Sequence, residues 1–244
     1  MRKRTVLVTG ASRGIGRAIA LRFARGGYHV FLNCNKSVTD LENVKKDIEA
    51  IPNASCTLVV GNVGNSADVR NIFHTIESDC KGVDVLINNA GIAYMGLLSD
   101  MTDDEWMNIL QTNLSSAFYT SRSAIPYMVS EKRGRIINIS SMWGTVGASC
   151  EAAYSAAKSG IHGLTKALAK ELAPSNVQVN AIACGVIDTA MNNLLDEEEK
   201  AALADEIPMC RFGTPDEVAE IVWQTAHAPA YMTGQIIGID GGYI

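Results

Sequence analysis

No stretch of this 244-residue chain approaches the ~18 consecutive apolar residues that a membrane-spanning helix needs, so no span is expected. The opening Met1-Arg2-Lys3-Arg4 runs into Thr5-Val6-Leu7-Val8 in the manner of a secretory leader. Gly10, Ser12, Arg13 and Arg17 interrupt that apolar run too early for one. Positive charge is scarce: 21 Lys and Arg against 26 Asp and Glu leave −5, which argues against a nucleic-acid or anionic-membrane partner. The six cysteines, at 34, 56, 80, 150, 184 and 210, include no CxxC pair, and the histidines at 29, 74, 162 and 227 show no ligand spacing. Neither a disulfide framework nor a metal site is expected. Scattered thiols fit a reducing compartment, and a soluble cytoplasmic protein is the expectation. Linkers, internal repeats and low-complexity segments are also missing. With 47% hydrophobic and 19% charged residues the composition is globular rather than disordered.

What is present is alternation. Short β-branched runs at 5–9, 28–33, 56–60, 83–87, 134–140, 177–182 and 236–239 are separated by helical patterns at 14–26, 40–50, 66–80, 103–129, 152–173 and 214–228. Several strand candidates are almost wholly apolar, as in Val83–Ile87, which suits strands covered on both faces of a parallel sheet. This spacing predicts right-handed βαβ crossovers and an α/β, doubly wound Rossmann-type domain with about seven parallel strands, spanning 1–244. Residues 188–210 break the alternation with an acidic, Ala-rich stretch after a strand end, where such sheets bind ligands. They are read as a substrate lid, the alternative being a surface helix without a role.

Four short motifs sit at strand ends or on helices. Thr9-Gly10-Ala-Ser12-Arg13-Gly14-Ile15-Gly16 follows the first strand and opens a helix, where glycines let a dinucleotide phosphate approach free N–H groups. Asn88-Asn89-Ala90-Gly91 follows the strand at 83–87, and Ser140-Ser141 closes the strand at 134–140. Tyr154-Ser-Ala-Ala-Lys158 lies within a long helical pattern. Its two side chains share one face, so the ammonium is expected to lower the phenol pKa and make a general acid. On local grounds the glycine turn reads as a nucleotide site, whereas alone the Asn88–Gly91 motif could be a turn, Ser140-Ser141 reads better as a strand end and the Tyr154/Lys158 pair as an ordinary amphipathic face.

Together and in this order the motifs resemble the short-chain dehydrogenases/reductases, through to the closing Thr233-Gly234-Gln235 and Asp240-Gly241-Gly242. The resemblance covers essentially the whole chain. It implies Tyr154 as proton donor, Ser141, thirteen residues earlier, as the hydrogen-bond partner of the substrate oxygen, and Lys158 as the group that tunes Tyr154 and holds the nicotinamide ribose. It implies Asn113, in Gln111-Thr112-Asn113-Leu114, as the holder of a relay water. The cofactor would be held by Gly10, Ser12, Arg13, Gly14, Ile15, Gly16, Asn35, Lys36, Asn62, Val63, Asn89, Ala90, Gly91, Tyr154, Lys158, Gly185, Ile187 and Thr189. The second strand ends in Asn33-Cys34-Asn35-Lys36, without the carboxylate that serves a ribose 2′-hydroxyl, and Arg13 and Lys36 could attract a 2′-phosphate; NADP(H) is therefore expected.

Within the family the chain is most similar to bacterial 3-oxoacyl-acyl-carrier-protein reductases. The stretches that carry this are Val8–Ala20, 113–118, 134–138 and Arg211-Phe-Gly213 with its sequel. That implies reduction of a 3-oxoacyl thioester in fatty-acid synthesis and a homotetramer pairing 103–129, 152–173 and the C-terminal region; Met191, Leu194 and Leu195 are read as cover for the acyl chain, the alternative at their helical spacing being a packing stripe. Cys184-Gly185 departs from the family's Pro-Gly. Pro174-Ser175-Asn176 lacks a basic residue for an acidic carrier protein, leaving Lys132 and Arg133 for that role. Another ketone or alcohol (a sugar, a steroid, a small ketone) is the alternative substrate, and a non-catalytic NADP-binding protein the alternative class.

Overall fold

A computed structural model describes residues 3–192 and 196–244. Seven parallel strands form one sheet: β1 (Thr5–Val8), β2 (His29–Leu32), β3 (Ser55–Leu58), β4 (Val85–Asn88), β5 (Gly134–Ser141), β6 (Val177–Cys184) and β7 (Ile236–Ile239), in the order β3-β2-β1-β4-β5-β6-β7. The direction of winding reverses between β1 and β4. Side chains alternate across the sheet, so Val6 and Val8 of β1 enter one core while Leu7 enters the other, and Ile137 and Ile136 of β5 divide in the same way.

Helices α1 (Gly14–Arg25), α2 (Val38–Glu49) and α9 (Pro215–His227) cover the first face. The apolar stripes of α1 and α2 lie on it through Ile19 and Phe23, and through Leu41, Val44 and Ile48. Trp223 of α9 stacks edge-on against Phe23 at 5.2 Å. The second face is covered by α3 (Ser66–Cys80), α5 (Ser116–Ser130) and α7 (Ala152–Leu172), with Val69, Ile72 and Ile76 of α3 and Met128 of α5 fully enclosed. Side chains close the helix starts: Asn65 caps α3, and Thr214 with Glu217 forms a capping box ahead of Pro215.

The pattern read as one helix over 103–129 is divided. Helix α4 (Asp103–Leu110) gives way to a π turn over Gln111–Ser115 before α5 begins. A short helix α6 (Trp143–Val146), which the sequence pattern did not indicate, follows β5 directly. In the 188–210 segment, α8 (Glu197–Glu206) buries no residue fully, with Lys200, Leu203 and Ala204 partly covered and the rest exposed. Of the three apolar residues expected over an acyl chain, Met191 is about half exposed, while Leu194 and Leu195 lie outside the described residues. Among the described residues no helix is long and apolar enough to cross a membrane.

Candidate active site

The motifs converge at the carboxyl ends of β1, β4, β5 and β6, beside the point where the strand order reverses. Gly10 leaves β1 with φ +64°, and a side chain on Gly16 would stand 2.2 Å from the Gly10 carbonyl oxygen; only glycine allows this turn into α1. Arg13 occupies the N-cap of α1 without a side-chain cap, leaving the first turn open to an anion. Asn89 fixes the turn from across the crevice. Its Nδ2 donates to the Thr9 and Gly10 carbonyls at 2.9 and 3.1 Å, and its backbone N–H donates to Thr9 Oγ1 at 2.9 Å. Thr189 packs against Gly14, its Cγ2 lying 3.3 Å from where a Cβ would be. Ile187 is buried and bridges to Gly213, and Gly185 is pressed against Asp240. Gly10, Gly14 and Gly16, with Asn89, Ala90 and Thr189 against them, thus form a glycine cradle at the start of α1 whose open helix end suits an anion.

Beyond the glycine turn the other expected residues are spread along the crevice. Arg13, Asn35 and Lys36 are exposed beyond the ends of β1 and β2, and Ser12 is half-buried beside them. Asn33, by contrast, is buried and donates to the Val59 and Gly61 carbonyls at 2.8 and 3.1 Å, tying β2 to the segment after β3. Val63 is buried, and Asn62 Oδ1 accepts the Gly64 N–H at 2.9 Å.

Ser141 and Ser140 face different partners. Ser141 is hydrogen-bonded to Tyr154, and its Oγ accepts the Trp143 N–H at 3.2 Å. Ser140 Oγ pairs with His162 Nε2 at 2.9 Å. Lys158 is buried one turn after Tyr154, its Nζ donating to the Ile139 carbonyl at 2.9 Å and lying 5.4 Å from the centre of the Tyr154 ring. Asn113 sits in the π turn, donating to the Ile92 carbonyl and accepting the Ile92 N–H, both at 2.8 Å. Ile92 follows Gly91, which carries no side chain to come between Asn113 Oδ1 and Lys158 Nζ.

Electrostatically the site corrects one expectation. Burial pushes the Tyr154 hydroxyl well above its ordinary pKa, with Cys184 and Glu151 acting in the same direction and the Ser141 hydrogen bond opposing. Burial also brings Lys158 down to about 8 and pushes the neighbouring Cys184 thiol up to about 12. The Lys158 ammonium donates to the Ile139 carbonyl, and burial holds both it and the Tyr154 phenol toward their neutral forms.

A buried polar network beneath the site had no signal in the sequence. Asn88 donates to Asn138 at 2.8 Å, Asn138 donates to Thr165 at 2.8 Å, and Thr120 donates to Asn88 at 2.6 Å, locking β4, β5, α5 and α7 together. The C-terminal tail also folds back on its own chain. Tyr243 packs edge-on to Trp143 at 5.9 Å, and its hydroxyl donates to Glu206 at the end of α8 at 2.7 Å. Trp143 thus touches Ser141, Tyr243 and, through its indole, Glu151.

A family described as short chain dehydrogenase matches residues 4–200. The 3-oxoacyl-acyl-carrier-protein reductase FabG of Thermotoga maritima is 37% identical over 239 residues, 98% of this chain and 96% of that protein. The protein of the same name from Staphylococcus aureus is 40% identical over 240 residues, covering 98% and 97%. Among solved structures, YwfH, an NADPH dependent reductase involved in bacilysin biosynthesis, superposes with a TM-score of 0.94 at 29% identity, covering 100% of this chain and 99% of that one.

Proposed function

This chain belongs to the short chain dehydrogenases, oxidoreductases of carbonyl and CH–OH groups, and on that premise we propose that it is an NADPH-dependent reductase of 3-oxoacyl thioesters. The observation that carries the reading is the convergence of Ser141, Tyr154, Lys158 and Asn113 on one crevice beside the glycine cradle. The name shared by the curated relatives at 37–40% identity over nearly their full length supports the thioester. The exposed Arg13 and Lys36, with no carboxylate after β2, support NADPH over NADH. The dinucleotide supplies the hydride.

The chain's own residues supply the rest. Ser141 donates a hydrogen bond to the carbonyl oxygen and fixes it beside Tyr154. Tyr154, held in its phenol form by burial, gives its proton to that oxygen as negative charge develops there. Lys158 binds the nicotinamide ribose and stabilises the tyrosinate left behind, and Asn113, pinned through Ile92, holds the water through which the proton is resupplied. Residues 188–210 act as a lid over the acyl chain. Exposed Met107 and Phe118 on α4 and α5 support burial of those helices between copies in a cytoplasmic homotetramer, which light scattering would count.

Steady-state reduction of acetoacetyl thioesters on acyl carrier protein and on CoA, with NADPH and NADH in parallel, tests the reading. Turnover with NADPH and at most weak turnover with NADH is expected. NADPH binding without turnover of either thioester would move the assignment to the sugar, steroid and small-ketone substrates of the same chemistry. A further lack of turnover on all of these would leave a non-catalytic NADP-binding protein.

A further inference from the structure

Tyr154, Lys158, His162 and Thr165 follow one another along α7 three or four residues apart, and each is hydrogen-bonded to the carboxyl half of β5. Thr165 accepts from Asn138 at 2.8 Å, Lys158 donates to the Ile139 carbonyl at 2.9 Å, and Tyr154 meets Ser141. His162 supplies the remaining rung. Its Nε2 lies 2.9 Å from Ser140 Oγ, and the mechanism above gives it no part. Both partners are buried, and the Ser140 hydroxyl also reaches the Lys158 carbonyl at 3.4 Å. The imidazole touches the chain on the far side of Ser141 as well. A side chain on Gly144 would stand 2.9 Å from His162 Cε1 and 2.8 Å from the Lys158 carbonyl carbon, and the Gly144 carbonyl accepts from Ser159 Oγ at 2.8 Å.

Ser141 thus sits between two anchored points, Ser140 and Gly144, and His162 touches both. Its own bond to the Trp143 N–H is internal to the turn and cannot fix that turn against α7. The Met142 N–H, donating to the Cys184 carbonyl at 2.8 Å, ties the turn to β6 within the sheet, whereas the contacts at Ser140 and Gly144 tie it to α7. Tyr154 and Lys158 ride on α7, so the separation between the two halves of the reacting centre is set at this junction. A misplacement of about 1 Å between reacting groups can cost about 100-fold in rate. We infer that His162 is a positioning residue, which through Ser140 and Gly144 holds the turn carrying Ser141 at the separation from Tyr154 that carbonyl reduction requires. The inference rests on the reductase reading, on its carbonyl chemistry and not on the thioester.

Reduction of acetoacetyl-CoA by His162→Leu, His162→Gln and Ser140→Ala tests it, with NADPH affinity measured on each. His162→Leu keeps bulk without a polar atom and is expected to lose at least about tenfold in kcat, with KM and NADPH affinity within about twofold of wild type. His162→Gln, whose amide can meet Ser140 as donor or acceptor, is expected to recover kcat to within about threefold of wild type. Ser140→Ala removes the same bond from the other side and is expected to lose at least about threefold in kcat, the double variant losing no more than His162→Leu alone. If His162→Leu no longer binds NADPH, Ser140→Ala decides by the same measure. Wild-type kcat in either variant overturns the inference, as does a loss in His162→Gln equal to that in His162→Leu. A loss confined to KM or NADPH affinity, which a merely structural residue would give, overturns it too. If wild type reduces small ketones but no thioester, the thioester reading fails instead, and the same variants are read on the ketone with the same expected losses. Turnover of no carbonyl overturns both.

Discussion

Burial of Lys158 makes the stability of the unliganded protein depend on pH in a direction that can be worked out. The ammonium is only 5% exposed and its pKa is brought down to about 8, against an ordinary value near 10.5. Between those values the unfolded chain keeps a proton that the folded chain has released, so unfolding takes up a proton and stability rises with pH. Below pH 8 the full cost of the buried charge is felt, and above the unfolded value it is gone. From pH 7 to 9 the gain is close to one pKa unit, about 1.4 kcal/mol. Cys56 and Cys184, pushed up to about 11 and about 12 from near 9, and Tyr154, also raised, act in the opposite sense as the pH nears 9 and beyond. All three are common to wild type and a Lys158 variant, so the difference between the two chains isolates the lysine. Urea unfolding at fixed protein concentration, for wild type and Lys158→Met without dinucleotide, is the assay. The difference between the two chains should move by about 1.4 kcal/mol across the window, in favour of wild type at the higher pH. Parallel pH profiles would refute the reasoning.

Gly16→Ala would place a methyl 2.2 Å from the Gly10 carbonyl and 2.6 Å from Asn89 Nδ2, so NADPH affinity by fluorescence titration is expected to fall at least tenfold; wild-type affinity would contradict the cradle. Arg13→Glu sets a negative charge where a 2′-phosphate is expected, and the kcat/KM preference for NADPH over NADH should fall at least tenfold with the melting temperature unchanged. Thr214→Ala removes the Thr214–Glu217 capping box of α9 and should cost about 1 kcal/mol, a drop of roughly 2–4 °C in melting temperature, without moving KM.

The sheet was legible because buried parallel strands announce themselves as apolar runs between glycine-marked turns. Val83–Ile87 and Gly134–Ser140 foretell β4 and β5 to within one or two residues. The division of 103–129 was not legible. Asn113 and its neighbours continue an amphipathic pattern, and the π turn is held by hydrogen bonds to Ile92, a partner twenty-one residues away. Choosing Ser141 over Ser140 rested on spacing alone; the strand's alternation turns one hydroxyl to Tyr154 and the other to His162. Spacing within Tyr154–Lys158 suggested an acidic tyrosine, but the depth of burial that reverses this comes from β5, β6 and the turn at Trp143.

The central claim is that Tyr154 protonates a thioester-borne ketone while NADPH is consumed. Reduction of acetoacetyl-CoA by wild type and Tyr154→Phe, with NADPH binding measured on both, tests it most directly. Turnover by wild type and a loss of at least about 100-fold in the variant, with NADPH affinity kept, is the predicted result. Equal turnover by Tyr154→Phe would contradict the account.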